Sequence, residues 1–574
     1  MADQNPIESL PLEEFIKLPN VIDILVAYDD VIKDLIKQRP YIRVGKVLLD
    51  YAVIYILKDD LQRILDETGE SIVNVFPFVM TLMGQQDLQA AGINKVQNQP
   101  DLNLKGKGVL IGFIDTGIDY TNKAFIYENG TSKIQYIWDQ TINEKPPEGY
   151  VFGTEYNNAK INEALKSKNP FSVVPSRDTV GHGTFLAATA ASREDNELIG
   201  AAPDAELIIV KLRKARQYYL DYFLVPPGQE NVYESSDLMF GINYIIEKAH
   251  SLGRPVAICI SVGTNLGNHD GLGILNSYIS RISSTHFVGL CLAAGNESNM
   301  KHHVQGIIQK TGDTAEVEVK AGKKESSIYI SLWNYSSDKV SVLLTSPTGE
   351  SSGRIPFKSG THFQTKLVLE RTHVDIEFVF PSALGTLSQL SIIKIIDPTP
   401  GIWKITVFGD LIVDGTYNMW LPVTGLVDPE IEFLSPEPKN TVVIPAVAIG
   451  GMAIGAFSSS DGSLYASSSW GPTRIPLITP SFTAPGVDVT SIYPNGVGKM
   501  SGTSVSTAIT TGASALMLEW GIVQGNQLTM TSFTIRSYLL KGCVRDVNIK
   551  YPNEQWGYGK LNLFNTFSNM KGGK

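Results

Sequence analysis

Four short and almost wholly apolar runs constrain this chain more than any other feature of its sequence. They are VLIGFIDTG, ELIIVKLRK, VAICISVG and FVGLCLAAGN. Strands that are buried on both faces of a parallel sheet have this character. Helical patterns lie between the runs, in LMFGINYIIEKAHSLG and LNSYISRISS. The alternation predicts an α/β fold with a doubly wound, mostly parallel sheet.

The 574 residues exceed one ordinary domain, and the sequence pattern changes along the chain. Residues 21–83 show strand and helix patterns in the order βαββαβ, which predicts a ferredoxin-like α+β domain over residues 1–83. Residues 84–107 are polar and predict a linker. Residues 303–430 contain short alternating strands, which predict an inserted antiparallel β-sandwich or jelly roll. The α/β domain is then divided into two parts, residues 108–302 and residues 431–574.

Charge and hydropathy exclude several classes of function. The formal net charge of -10 argues against nucleic-acid binding. The N-terminal sequence MADQNPIESLPLEEFIKLPN has no basic segment followed by an apolar run, so no secretory signal peptide is predicted. No stretch of about 18 apolar residues predicts a membrane span. We therefore expect synthesis in the cytoplasm and no secretion through a signal peptide.

Three reactive side chains stand where a predicted strand ends or a predicted helix begins. Asp115 ends the run IGFID, His182 opens the helix pattern in GHGTFLAATAA, and Ser504 opens another in GTSVSTAITTG. A serine hydroxyl needs a base to remove its proton, and imidazole exchanges protons near neutrality. A buried carboxylate fixes the imidazole tautomer and stabilises the imidazolium. These residues therefore predict a catalytic triad.

Asn296, in GLCLAAGNES, follows a predicted strand and is the candidate donor to a developing oxyanion. Its side-chain amide would act together with the backbone N–H of Ser504. Taken singly, Asn296 and Asp115 have an ordinary interpretation as turn residues, and Ser504 as a helix N-cap. A lone histidine is also more often structural than catalytic. The joint occurrence of all four residues in this order favours the catalytic interpretation.

The chain order Asp, His, Ser and the motifs DTG, GHGT, AAGN and GTS resemble the subtilisin family of serine proteases. The runs SSSWGP, FTAPG and WGYGKLN match as well, and the resemblance spans roughly 108–300 and 435–565. It implies a serine endopeptidase that works through an acyl-enzyme, with Asp115, His182 and Ser504 as its triad. It also implies two segments that bind substrate on the acyl side, Ser261, Val262 and Gly263 in one and Ala293, Ala294 and Gly295 in the other.

The segment after Ser504 departs from the family pattern. The family usually has Met-Ala-(Ala/Thr)-Pro there, whereas this chain has Val505, Ser506, Thr507 and Ala508. Because the nucleophile itself is kept, we expect altered efficiency or specificity rather than inactivity. No acidic cluster has the spacing of a calcium site, and the three cysteines match no zinc pattern. No metal and no cofactor are predicted.

The N-terminal region and the insert indicate which group of subtilisin relatives the chain resembles. Residues 1–83 resemble the prodomains that subtilisin relatives cut off themselves, and the extended segment MTLMGQQ predicts autoprocessing near Met83–Gly84, within residues 82–90. The absence of a signal peptide, this prodomain and the β insert together resemble the Csp germination proteases of clostridial spores. That resemblance implies a selective protease, packaged in the spore, that activates the precursor of a spore-cortex hydrolase. It also implies that the cleaved prodomain stays bound without a covalent link.

Two alternative functions stay open. A general intracellular subtilisin-like peptidase would degrade unfolded casein rapidly. A non-catalytic pseudoprotease scaffold would not react with a fluorophosphonate probe at Ser504, and the intact triad argues against it.

Overall fold

The computed structural model describes residues 10–39, 42–68, 75–82, 89–193, 198–322, 326–358, 360–379 and 388–571. Its helices are α1 (Leu12–Phe15), α2 (Asp30–Gln38), α3 (Leu61–Thr68), α4 (Ile93–Asn98), α5 (Asn158–Lys166), α6 (His182–Ala191), α7 (Gln217–Tyr222), α8 (Ser235–Ser251), α9 (Ile274–Ile282), α10 (Thr503–Leu518), α11 (Ser532–Gly542) and α12 (Leu563–Lys571). Among these described helices, none is long and apolar enough to cross a membrane.

The strands fall into an N-terminal group, a central group and a group from the insert. The first two groups are β1 (Val21–Ala27), β2 (Arg43–Leu48), β3 (Tyr51–Leu57), β4 (Val79–Leu82), β5 (Leu110–Asp115), β6 (Ile134–Asp139), β7 (Thr154–Asn157), β8 (Glu206–Lys211), β9 (Tyr233–Glu234), β10 (Val256–Ile260), β11 (Val262–Gly263) and β12 (Val288–Ala293). The insert and the C-terminal part contain β13 (His303–Ile307), β14 (Thr314–Ala321), β15 (Ile328–Tyr335), β16 (Lys339–Thr345), β17 (Thr361–Leu367), β18 (Thr372–Val379), β19 (Ser388–Ile396), β20 (Gly401–Leu411), β21 (Thr416–Trp420), β22 (Glu432–Phe433), β23 (Met452–Phe457), β24 (Phe482–Pro485), β25 (Val489–Tyr493) and β26 (Gly496–Met500).

The largest sheet has eight strands in the order β24-β23-β12-β10-β5-β8-β6-β7. All neighbouring pairs are parallel except the edge pair of β6 and β7. The four apolar runs of the sequence form β5, β8, β10 and β12, which are adjacent at the centre of this sheet. A strand in that position is covered on both faces, which explains why its sequence lacks polar alternation.

Helices cover the two faces of the large sheet. On one face, α6 and α10 share a buried cluster with Ile111, Phe113 and Cys259. On the other face, α8 and α9 share a buried cluster with Leu110 and Ile114. Alternate side chains of β5 therefore enter different cores, as period-two strand geometry requires. The arrangement brings the end of β5 and the first turns of α6 and α10 to the same edge of the sheet.

The N-terminal residues form an antiparallel sheet in the order β1-β3-β2. Leu25, Val53 and Tyr55 of this sheet belong to the same buried cluster as α8. The last strand expected within residues 71–83 is β4 in the structure, and it pairs with β9 and β11 instead of extending the β1-β3-β2 sheet. Sequence periodicity indicates a strand but does not indicate its partner, which explains the difference.

Residues 89–107, which belong to the predicted linker, are packed rather than free. They contain α4, and Ala91, Ile93, Val96 and Leu104 are fully buried. The carbonyl oxygen of Ala91 accepts a hydrogen bond from the N–H of Leu563 at 2.9 Å. Isolated apolar residues in a polar stretch give little periodic signal, so this packing was not predicted.

The insert forms two antiparallel sheets, in the orders β13-β21-β15-β19-β18-β17 and β16-β20-β14-β22. Val319, Leu332, Ile393 and Trp403 come from both sheets and lie in one buried cluster, as in face-to-face sheet packing. The pairing of β22 with β14 carries this unit past residue 430, where the sequence predicted its end.

Candidate active site

Asp115 and His182 meet at the carboxyl edge of the large sheet. Asp115 is the last residue of β5 and His182 is the first of α6, and they are only 1% and 5% exposed. His182 Nδ1 lies 2.8 Å from Oδ1 and 2.9 Å from Oδ2 of Asp115. Since a carboxylate accepts hydrogen bonds, Nδ1 carries the proton and Nε2 is the acceptor nitrogen. This is the tautomer that a general base requires.

The Asp115 carboxylate is held in its ionised form. Burial raises the pKa of Asp115, but the charge of His182 and hydrogen bonds from His182, Ser261 and Thr116 outweigh burial and bring the pKa below its ordinary value. Ser261 Oγ donates to Oδ2, and the Thr116 N–H donates to Oδ1 at 2.7 Å. An ionised carboxylate in this position stabilises the imidazolium that forms when His182 takes a proton.

The loop before His182 is organised by Asp178, a buried residue that the sequence did not single out. Its Oδ1 accepts from the Gly181 N–H at 2.7 Å and from Thr116 Oγ1 at 2.8 Å. Its Oδ2 accepts from the N–H and the hydroxyl of Thr184, at 2.8 and 2.7 Å. The carboxylate thus supplies acceptors and negative charge at the start of α6. An acidic residue just before GHGT was the signal for it.

Ser504 lies beside the same edge, in the first turn of α10. Gly502 precedes the helix with a φ of 138°, a left-handed conformation that favours glycine. Ser504 Oγ donates to the carbonyl oxygen of Ser261 at 3.3 Å. Because Ser261 Oγ also contacts Asp115, Ser261 connects the nucleophile segment to the carboxylate.

Asn296 lies next to the residue that precedes Ser504. Its Oδ1 accepts a hydrogen bond from the Thr503 N–H at 3.0 Å. Thr503 Oγ1 in turn accepts from the Gly295 N–H at 3.1 Å. A backbone N–H requires an acceptor, so this contact fixes the orientation of the amide and makes its NH2 group the donor end.

Strand β4 lies along the segment of Ser261, Val262 and Gly263. Val262 pairs with Leu82, and Gly263 pairs with Thr81, in antiparallel register. On its other side β4 pairs with β9, where Met80 faces Tyr233. The strand order β11-β4-β9 therefore places a segment of the N-terminal region between two strands of the large domain.

The second predicted substrate-binding segment is placed differently. Ala293 pairs with Ile454 of β23, and the N–H of Ala294 donates to the Ile454 carbonyl at 3.0 Å. The Ala294 carbonyl accepts from the Val443 N–H at 2.9 Å. Gly295 contacts Thr503 and has a φ of 106°. The structure thus brings this segment to the nucleophile helix, whereas Val262 and Gly263 of the first segment pair with β4.

A family comparison decides what kind of protein has this site. The subtilase family, Peptidase_S8, matches residues 106–341 and 432–559. The chain belongs to the subtilase family. It is a subtilisin-like serine peptidase.

Solved structures place this subtilase among its relatives. It is similar to the Clostridium perfringens CspB protease, with 31% sequence identity, a TM-score of 0.76, and coverage of 85% of this chain and 99% of that chain. It also matches the epidermin leader peptide processing serine protease of Staphylococcus aureus at 13% identity and a TM-score of 0.44, covering 97% of this chain and 99% of that chain. No curated protein matched the subtilase significantly.

The unusual residues after Ser504 fit the packing of this subtilase. Val505 and Ala508 are fully buried. Ser506 Oγ lies 3.0 Å from the carbonyl oxygens of Ala484 and Pro485, and it is the donor. Thr507 Oγ1 donates to the Thr503 carbonyl at 2.7 Å. The added hydroxyls therefore have acceptors, and they bring no uncompensated polar group behind the nucleophile.

Two further predictions concern other parts of the subtilase. Met83 and Gly84, the expected processing site, lie outside the described residues. Within the described ranges, no group of three or more His, Cys, Asp or Glu side chains is placed to hold a metal ion.

Proposed function

We propose that Ser504 is the nucleophile of this subtilase, His182 its general base and Asp115 the residue that orients His182. The observation that carries the proposal is the contact of His182 Nδ1 with both carboxylate oxygens of Asp115. It leaves Nε2 to accept the Ser504 proton as Oγ attacks the scissile carbonyl carbon. His182 then returns that proton to the leaving amine, and water hydrolyses the acyl-enzyme by the same route in reverse.

The oxyanion of each tetrahedral intermediate accepts hydrogen bonds from the Asn296 side-chain NH2 and the Ser504 backbone N–H. The contact between Asn296 Oδ1 and the Thr503 N–H supports this role, because it holds the amide beside the nucleophile and makes its NH2 group the donor end. Donors that are fixed before the reaction stabilise the developing charge without reorganisation.

The acyl side of the substrate binds as an extended strand along Ser261, Val262 and Gly263, with Ala293, Ala294 and Gly295 behind it. The antiparallel position of β4 supports this binding mode, because β4 has the backbone pairing that a substrate strand would have. In this proposal residues 1–83 are a ferredoxin-like prodomain. The enzyme then cuts its own chain at Met83–Gly84, and the prodomain stays bound without a covalent link.

In this proposal the inserted β unit is a jelly roll that stabilises the active site. The support comes from Glu297, the residue after Asn296. Its Oε1 accepts from the Thr424 N–H at 3.1 Å, and its Oε2 lies 2.6 Å from His302 Nδ1. Both partners belong to the segments that lead into and out of the insert, so the insert holds the oxyanion side of the site.

The substrate is a protein, and we place the activity in spore germination, as selective cleavage of a cortex-hydrolase precursor. The similarity to the CspB protease over 85% of the chain supports a Csp-like protease, the group for which the sequence resemblance implies this role. Synthesis in the cytoplasm followed by packaging in the spore accords with that role.

One experiment tests the chemistry and the processing together. The full chain and its Ser504→Ala variant are purified in parallel, and their N-termini and intact masses are determined. We expect a cut at Met83–Gly84 in the wild type, an intact chain in the variant, and fluorophosphonate labelling of the wild type alone. An uncut, unlabelled wild type, or a variant cut at the same bond, would refute the proposal. Rapid degradation of unfolded casein would favour general turnover over selective processing.

A further inference from the structure

The segment that leads into β4 carries two aromatic side chains that contact the large domain and the insert. Phe76 is buried, and its ring meets three tyrosines of α7 edge to face. The centroid distances are 5.8 Å to Tyr218, 5.3 Å to Tyr219 and 5.0 Å to Tyr222. Edge-to-face pairs of this kind contribute beyond the apolar area that they bury. Phe76 therefore lies in an aromatic site that these three tyrosines form.

Phe78 lies beside a second aromatic site. Its N–H donates to Ser235 Oγ and its carbonyl accepts from the Ser235 N–H, both at 2.9 Å. A cavity next to its ring is lined by Tyr222, Phe223, Tyr329 and Trp333. Phe223 and Tyr329 are themselves in edge-to-face contact at 5.6 Å, which joins the large domain to strand β15 of the insert.

These walls do not belong to the N-terminal region. Tyr218, Tyr219, Tyr222 and Phe223 come from α7 and its end, and Tyr329 and Trp333 come from the insert. A substrate strand that pairs with Val262 and Gly263 must displace β4, because β4 has those backbone partners. Phe76 and Phe78 precede β4 on the same chain segment, so both aromatic sites become open when β4 leaves.

We propose that this aromatic groove, formed by Tyr218, Tyr222, Phe223, Tyr329 and Trp333, is a distal recognition site for protein substrates. It selects substrates with aromatic side chains at the sixth and eighth residues before the cleaved bond, the positions that Phe78 and Phe76 have relative to Met83–Gly84. The inference rests on the proposed function. It gives the insert a direct part in substrate choice, because a peptide that ends at the fourth residue does not reach Tyr329 or Trp333.

The test uses internally quenched peptides with the sequence of residues 75–88 and the processed full chain as the enzyme. The parent peptide is compared with peptides carrying Phe76→Ala, Phe78→Ala or both. A retained prodomain lowers the free enzyme equally for all peptides, so ratios of kcat/KM within one preparation are unaffected. We expect each substitution to lower kcat/KM about tenfold and the pair about a hundredfold, in line with the loss of a buried aromatic side chain.

Enzyme variants assign the effect to the groove. In the Tyr222→Ala enzyme, the ratio of kcat/KM between the parent peptide and the Phe76→Ala peptide should fall below about threefold. In the Trp333→Leu enzyme, which keeps an apolar core residue, the corresponding ratio for the Phe78→Ala peptide should fall below about threefold as well. Val413→Ala, an exposed position of the insert, should retain both ratios. Equal kcat/KM for all four peptides, unchanged ratios in both variants, or no cleavage of the parent peptide would overturn the inference. Equal cleavage leaves the proposed function intact, whereas an enzyme that neither cuts peptides nor takes the fluorophosphonate label refutes that function itself.

Discussion

Arg216 of the large domain forms an ion pair with Asp23 of the N-terminal sheet, and the Asp23 side chain is fully buried. The same guanidinium pairs with Glu234, also fully buried, so two carboxylates from different parts of the fold share one cation. The Tyr219 hydroxyl donates to the Asp23 carbonyl oxygen at the same place. This buried ion pair is therefore a polar contact between the large domain and the N-terminal unit, which is the proposed prodomain of residues 1–83.

Removal of Arg216 is therefore predicted to loosen the N-terminal unit. In Arg216→Met, Asp23 stays buried without its cation, and docking should weaken by about 3–5 kcal/mol. For the chain cut at the proposed Met83–Gly84 bond, the readout is the fraction of the N-terminal unit that co-elutes with the large domain in size-exclusion chromatography.

The matched control for that experiment is Asp23→Leu combined with Arg216→Met. It removes both charges of the Asp23–Arg216 pair and leaves Glu234, whose raised pKa favours its neutral form, so it should recover most of the docking. Full co-elution in Arg216→Met alone would contradict the prediction.

Docking of the N-terminal unit should also depend on pH through Glu234. Burial raises the pKa of Glu234 well above its ordinary value, since Arg216 offsets burial only in part while Asp23 and Asp237 repel a further negative charge. A raised pKa means that the docked form binds the proton more tightly. The stabilisation of the docked form by protonation of Glu234 is fully present below the ordinary glutamate pKa of about 4.3. It is lost as the pH rises through the raised pKa of the docked form.

The N-terminal unit should accordingly be released more readily as the pH increases. Dissociation rates of the processed complex, measured across a pH series, test this expectation. In Glu234→Gln, which keeps the neutral shape of the protonated group, the pH dependence from this site should disappear. A wild-type rate that falls with increasing pH would have the wrong sign.

Two substitutions of Asn296 separate its role as donor to the oxyanion from its role as acceptor for the Thr503 N–H. Asn296→Asp keeps an acceptor for the Thr503 N–H but removes the donor NH2, whereas Asn296→Ala removes both. If the amide stabilises the oxyanion, both variants should lose about 10²–10³ in kcat, with KM little changed. Thermal unfolding monitors the structural role. Activity retained in the Asp variant and lost only in the Ala variant would show that the Thr503 contact alone matters.

Asp115→Asn should lower kcat about 10⁴-fold while leaving the fold intact. An amide cannot stabilise the imidazolium, and its NH2 group can present a donor to His182 Nδ1, which favours the wrong tautomer. Steady-state hydrolysis of a peptide gives kcat, and circular dichroism monitors folding. Ser261→Ala, which removes only the hydroxyl that donates to Asp115, is the comparison variant. Its kcat should stay within about tenfold of wild type. A kcat for Asp115→Asn within tenfold of wild type would exclude the assigned role.

The sequence predicted those parts of the fold and site that depend on local pattern. β5 and β10 were recognisable because strands covered on both faces are apolar throughout. Asp115, His182 and Ser504 were selected because each stands at the junction of a strand or helix with a loop.

Long-range pairings were not predictable in the same way. The partnership of β4 with β11 joins residues 82 and 262, and no local periodicity specifies it. Asp178 was missed because one of its donors, Thr116, is 62 residues away in sequence and reaches it only in the folded chain. The contact of Arg216 with Asp23 depends in the same way on the docking of two units.

Lys133 provides a test that does not involve the active site. Its ammonium group is fully buried and donates to the carbonyl oxygens of Ala191 at 2.5 Å and Pro203 at 2.7 Å. Burial lowers the pKa of Lys133 to about 7, even though Asp204 and Glu206 act in the opposite direction. An unfolded lysine titrates near 10.4, so the unfolded chain binds more protons than the folded one between about pH 7 and 10. The free energy of unfolding should therefore rise with pH across that window.

The Lys133→Met variant should lack this rise in the free energy of unfolding. Urea unfolding of wild type and variant at pH 7 and pH 9 tests this, because the stability of the wild type relative to the variant should be greater at pH 9. A difference that is the same at both pH values would mean that Lys133 keeps an ordinary pKa in the folded chain.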